Sequence, residues 1–136
     1  MSTERNKQVM KKFVEFINTA DVKLSKELIS EKAVFYAPTS PDPLRGPSGY
    51  MDVLAMMHGG FPNIKWIVED LIAENDIVAV HFTLQGTHRG NFFGIPATGK
   101  EIRVSAMNFY YFEDGKIIKE YGQPDIFNLL QQIGAK

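Results

Sequence analysis

The stretch "GTHRGNFFGIPATGK", residues 86–100, lies between two segments that alternate like β-strands, yet it is neither a tight turn nor a polar tether. Gly86, Gly90, Gly94 and Gly99 punctuate a long connection, and Phe92, Phe93, Ile95 and Pro96 make it too apolar to hang free in water. The glycines lack the spacing of a phosphate-binding loop, and no strand–loop–helix pattern surrounds them, so nucleotide binding is set aside.

Working outward, residues 77–87 and 101–112 read as the strands that this connection joins. Segments 64–73 and 116–123 flank them. Asn75-Asp76 and Asp114-Gly115 supply the turns, the second being a strong hairpin signal. In 77–87 one face is Val78, Val80, Phe82 and Leu84, and the other carries His81, Thr83 and Gln85. In 101–112 Val104, Ala106 and Tyr110 share the face of Asn108, opposite Met107, Phe109 and Tyr111. A sheet with two apolar faces needs both covered, since each buried side chain gains about 1.5–3 kcal/mol. Helices can cover one face and a second copy of the chain the other. The expectation is therefore a homodimer whose interface includes Val78, Val80, Phe82 and Leu84. The face scattered with His, Thr, Gln and Asn would then line a pocket.

The helices come first in the chain. Val9, Phe13, Phe16 and Ile17 recur at helical spacing within 4–18. A second helix is expected over about 21–30, with Asp21 as its cap and Leu24, Leu28 and Ile29 facing inward. "KAVFYAP" is a short strand, "TSPDPLRGPSG" a stiff Pro/Gly loop, and about 48–58 a third helix through Tyr50, Val53, Leu54 and Met57. A short helix over 126–133 follows the break at Gly122-Gln123-Pro124.

Composition narrows the function classes. With 136 residues, 44% hydrophobic and 23% charged, the chain is expected to form a single domain, 1–136, with a real core. A net charge of −1, with Lys and Arg spread along the chain, argues against nucleic acid and acidic membranes as partners. No apolar run approaches the roughly 20 residues of a membrane span. The absence of cysteine excludes disulfides and thiolate chemistry, and the three histidines lack ligand spacing, so no metal is expected. The charged N-terminus has no signal-peptide pattern, and the chain reads as soluble and cytoplasmic.

Taken together, "FINTAD", "LRGPSGY", "DLIAENDIVAV", "GTHRG", "GIPATGK", "EDGKI" and "LLQQIG" resemble the SnoaL-like polyketide cyclase family, within the nuclear transport factor 2-like superfamily. The resemblance covers almost the whole chain. It implies an α+β cone, with three N-terminal helices on a curved, mainly antiparallel sheet. It also implies cofactor-free ring closure by intramolecular aldol condensation of a polyketide ester. In such cyclases an acid–base aspartate lies on the last strand and a histidine on the strand before. Counted from "EDGKI", these positions fall on Gly122, which can neither donate nor abstract a proton, and Asn108, which can hydrogen-bond a carbonyl but cannot take up a proton at neutral pH. Family positions that line the pocket fall on Ile17 and Val53, which suit a small apolar molecule.

Two residues remain as candidate acid–base groups. Glu120 shares strand parity with Gly122 but lies about 6.5–7 Å away along the strand, whereas a base must come within about 3 Å of its proton. His81 sits on the polar parity of its strand. Asn108 and Tyr110 are the expected polar ligand contacts. Asp125, after Pro124, reads as a helix cap, His88 as a residue that fixes its loop, and His58 as a helix-end residue. Two functions stay open: a polyketide or ester cyclase acting on a small apolar carbonyl compound, and a non-catalytic binding module using the same cavity. An epoxide hydrolase or dehydratase would need paired Asp or His groups, which the sequence does not supply.

Overall fold

A computed structural model describes residues 3–38 and 41–134. Helix α1 (Thr3–Thr19) turns its Met10, Phe13, Phe16 and Ile17 stripe inward, all four buried. The chain reverses at Ala20, whose φ of 57° is left-handed, and Asp21 caps α2 (Val22–Leu28) by accepting from the Lys23 amide at 2.9 Å. The second helix is shorter than expected. Ile29 has extended φ and ψ and opens β1 (Ile29–Tyr36), because its β-branched side chain is buried better on the sheet.

The Pro/Gly loop after β1 contains a two-residue strand, β2 (Leu44–Arg45), that the sequence did not announce; Thr39 and Ser40 lie outside the described residues. Helix α3 (Gly46–Gly60) starts with Pro47 in its first turn, where a missing N–H costs nothing. Four long strands follow: β3 (Lys65–Glu74), β4 (Ile77–Thr87), β5 (Glu101–Glu113) and β6 (Lys116–Pro124). Asn75, Asp114 and Gly115 take positive φ in the two turns, as hairpin geometry requires. Helix α4 (Ile126–Gln132) ends the described chain, capped by Asp125, which accepts from the Asn128 amide at 3.1 Å.

The six strands form one sheet in the order β2-β1-β6-β5-β4-β3. Only β1 and β6 run parallel; every other neighbouring pair is antiparallel. The fold is thus the α+β cone that the resemblance implied. Helix α1 lies against β3 and β4, and α3 against β1 and β2.

The sheet face beneath the helices corrects one expectation. Val78, Val80, Phe82 and Leu84 are all buried under the helices rather than presented outward. They share this inner face with Val104, Ala106, Asn108 and Tyr110 of β5, to which they are paired in register. The physical reason is plain: the most continuous apolar row goes to the core. The outward face instead carries His81, Thr83 and Gln85, together with Ile72, Met107 and Phe109, which are 69%, 59% and 49% exposed.

The connection 88–100 packs only in part: Phe92 is buried and Ile95 half-buried, while Phe93 and Pro96 are exposed. Phe92 is buried against Phe61, and a bridge between Phe92 and Ile95 folds the loop on itself. His88 is wholly buried; its Nδ1 meets the Thr98 hydroxyl at 2.9 Å and accepts from the Thr98 amide at 3.2 Å. It thereby ties the two ends of the loop together. A Cβ at Gly90 would run into the Gly59 carbonyl oxygen, so this loop closes on the end of α3 only with glycine there.

Candidate active site

The inner face of β5 and β6 brings together four of the groups singled out from sequence or close to them. Tyr110 is paired with Glu120 and Asn108 with Gly122. Glu120 is buried at 6% exposure, beside the rings of Phe35 on β1 and Tyr50 on α3. Phe13 packs on both Tyr50 and Tyr110 with ring centres 5.2 Å apart. Tyr50 has no expected polar role in the sequence reading; it sits at helical spacing among Val53, Leu54 and Met57, where a core ring is the natural inference. Its hydroxyl is what matters here.

The polar groups form a directed chain. The Gln123 amide donates to Asn108 Oδ1 at 3.1 Å, which turns Asn108 Nδ2 toward Tyr110, and Nδ2 donates to the Tyr110 hydroxyl at 3.0 Å. The Tyr110 and Tyr50 hydroxyls in turn hydrogen-bond the Glu120 carboxyl. Glu120 Oε1 is buried without a hydrogen-bond partner, and the Tyr50 and Tyr110 hydroxyls also hydrogen-bond one another. Asn108 and Tyr110 are therefore engaged with one another.

Burial pushes the Glu120 carboxyl up from 4.5 to about 8, against the opposing pull of the two tyrosine hydrogen bonds. Both tyrosines are held well above the usual 10, first by burial and then by the charge of Glu120. Among the described residues no basic side chain is paired with this acid. Nor do three His, Asp or Glu side chains gather where a metal ion could be held. The cluster can accept a proton, return it, and hydrogen-bond a ligand oxygen.

Gly122 explains how Glu120 reaches its place. A Cβ built on Gly122 would lie 3.0 Å from Glu120 Oε2 and 3.6 Å from Asn108 Oδ1. The glutamate side chain thus leans along the strand into the space above the glycine. The strand spacing alone had put this carboxylate out of reach; the direction of its side chain brings it back. Gly122 is not in the left-handed region, so its lack of a side chain serves space rather than backbone freedom.

The other candidates lie elsewhere. His81 is on the outer face, in register with Met107, and its Nδ1 meets Asp70 Oδ2 at 3.1 Å. Its expected place inside the cone is corrected: the sheet separates it from Glu120. Ile17 is core, and Val53 is half-buried against that core. His58 joins α3 to α1 by a 2.9 Å contact from Nε2 to the Ile17 carbonyl oxygen. Grooves of about 670 and 380 Å³ lie away from the acid; the first is lined by Asn63, Lys65, Gln85 and Arg103, and the second by Asp70, His81, Met107 and Phe109. Around Glu120 itself, aromatic rings occupy the space that the sequence reading had given to a pocket.

A cone of helices on a curved, mainly antiparallel sheet is the architecture of the nuclear transport factor 2-like proteins. Within them the chain belongs to the SnoaL-like polyketide cyclase family, whose profile matches residues 7–133. It is 27% identical over 136 residues to aklanonic acid methyl ester cyclase DnrD of Streptomyces peucetius, a match that spans 98% of this chain and 92% of that protein. The crystal structure of wild-type IdmH from Streptomyces antibioticus superposes with a TM-score of 0.84 at 27% identity, over 96% of this chain and 99% of that one. A SnoaL-like protein from Jannaschia sp. CCS1 reaches a TM-score of 0.90 at 20% identity, over 98% and 94%, and that likeness shows the fold.

Proposed function

We propose that the protein is a cofactor-free cyclase of the polyketide or ester type, in which Glu120 carries the proton. The observation that supports this reading most is the buried Glu120 carboxyl, held by two phenols and leaning over Gly122, where the family resemblance puts an acid. Ionised Glu120 takes a proton from the carbon between two carbonyl groups of the substrate. The resulting enolate carbon attacks a second carbonyl, the new C–C bond closes the ring, and the alkoxide formed takes the proton back from Glu120. No net proton is consumed. A small apolar carbonyl compound suits the surrounding Phe13, Phe35 and Tyr50 rings, which have to part to admit it.

The ionised form starts the cycle, so the rate should rise with pH and level off above about 8, the value to which burial lifts Glu120. Glu120→Gln should lower cyclisation of an aldol-type ester about 10²- to 10⁴-fold. Gly122→Asp combined with Glu120→Ala, which clears the space above the glycine, should recover part of the activity that Glu120→Ala alone loses. Full activity in a folded Glu120→Gln protein would end the proposal.

The packed rings favour a second reading, in which the cone binds an apolar carbonyl compound without turning it over. Tight binding by calorimetry with no cyclisation across pH 6–9 would select it. Both readings place a second copy of the chain on the outer sheet face, around the exposed Ile72, Met107 and Phe109.

A further inference from the structure

We infer that Asn108 is a positioning residue acting on Glu120 through Tyr110, and that Oε1 is the oxygen of Glu120 that exchanges its proton with a ligand. The inference rests on the acid–base reading of this site and adds its internal wiring. A neutral carboxylic acid has one O–H donor and one carbonyl acceptor, and the surroundings decide which oxygen is which. The phenols of Tyr50 and Tyr110 are hydrogen-bond partners of the carboxyl, whereas Oε1 is buried with no hydrogen-bond partner, so we assign the exchanging proton to Oε1. A buried polar atom without a partner is rare and calls for an explanation, and on a carboxyl that exchanges a proton we assign that explanation to a ligand atom. The complementary ligand group is a carbonyl or enolate oxygen while Glu120 is neutral, and an acidic C–H while it is ionised.

The direction of the chain comes from a backbone group that cannot reverse. The Gln123 N–H only donates, so Asn108 presents its oxygen there and its amide N–H to Tyr110. The Tyr110 oxygen accepts that bond and one from the Tyr50 hydroxyl, which leaves its own proton for Glu120. A phenol that accepts one hydrogen bond also donates a stronger one. Asn108 therefore favours the ionised acid without touching it. The titratable groups that face Glu120 are Tyr110 from β5 and Tyr50 from α3; β1 contributes only the Phe35 ring.

The test is a direct titration of Glu120 in the free protein, by NMR of ¹³C-labelled glutamate carboxyls, with the signal assigned by its absence in Glu120→Gln. Asn108→Leu should raise the midpoint by about one pH unit. Asn108→Asp, which keeps the acceptor for Gln123 and so protects folding, should raise it further, because its charge repels an ionised Glu120 and Tyr110 turns its proton to the new carboxylate. Tyr110→Phe should also raise it, and adding Asn108→Leu to Tyr110→Phe should produce no further shift. An unchanged midpoint in both folded Asn108 variants, or additive shifts in the double variant, would overturn the inference. Loss of the cyclase reading shows separately, as Glu120→Gln protein that still cyclises.

Discussion

Replacing Glu120 by glutamine should change how the stability of the protein depends on pH, and the effect can be worked out from the buried site. In the folded chain the carboxyl titrates at about 8 instead of its usual 4.5. Between those values the folded state holds one more proton than the unfolded state, so stability falls as pH rises, by up to about 1.4 kcal/mol per pH unit. The favourable contribution is fully present below the unfolded value and is lost as pH climbs through the folded one. Glutamine keeps the size of the side chain and an oxygen to accept from the tyrosines, but it has no proton to lose. The stability of the native protein relative to Glu120→Gln should therefore drop by about 3–4 kcal/mol from pH 5 to pH 8. Other titrating groups are common to both proteins and cancel in the difference. Urea unfolding at pH 5, 6, 7 and 8, followed by the fluorescence of the single Trp66, measures it. A difference that stays constant over this range would mean that the carboxyl is already ionised near pH 5, and the reasoning about its burial would be wrong.

The remaining expectations are simpler. Asp125→Ala should cost about 1 kcal/mol of stability and Asp125→Asn little, since either an acid or an amide oxygen can receive the Asn128 amide; a large loss of activity in a folded Asp125→Asn protein would instead bring this residue into the chemistry. Light scattering should give twice the chain mass at micromolar concentration, and Met107→Lys, on a side chain 59% exposed, should give the monomer without unfolding it. A native monomer at high concentration would remove the second copy from the outer face.

The sequence carried most of the architecture because its signals were local. Asp114-Gly115 and Asn75 take the positive φ values that their types permit, and the long strands begin and end within about two residues of the sequence reading. Which face of β4 turns inward was not local. The alternation separates Val78, Val80, Phe82 and Leu84 from His81, Thr83 and Gln85 but gives no direction. Direction is set by the helices, which take the continuous apolar row and leave the scattered Ile72, Met107 and Phe109 outside. The site shows the same division. Parity grouped Glu120 with Gly122 and Asn108 with Tyr110 along their own strands, and the register of β5 with β6 joined the two pairs on one face. That Glu120 leans over Gly122, and that Tyr50 from a distant helix meets it, depends on rotamers and packing that no residue count contains.

The parallel pairing of β1 with β6 has a consequence for the growing polypeptide. Strand β1 is made within the first 36 residues, yet its central neighbour, β6, is made after residue 115. While the ribosome is still reading the message between them, Phe13, Phe16 and Phe35 have left the tunnel without the surface that finally covers them. The carboxyl of Glu120 arrives on the same late strand that closes the sheet. A nascent chain interrupted before β6 therefore lacks both its enclosure and the Glu120 carboxyl, so synthesis delivers this buried acid only to a molecule able to shelter it.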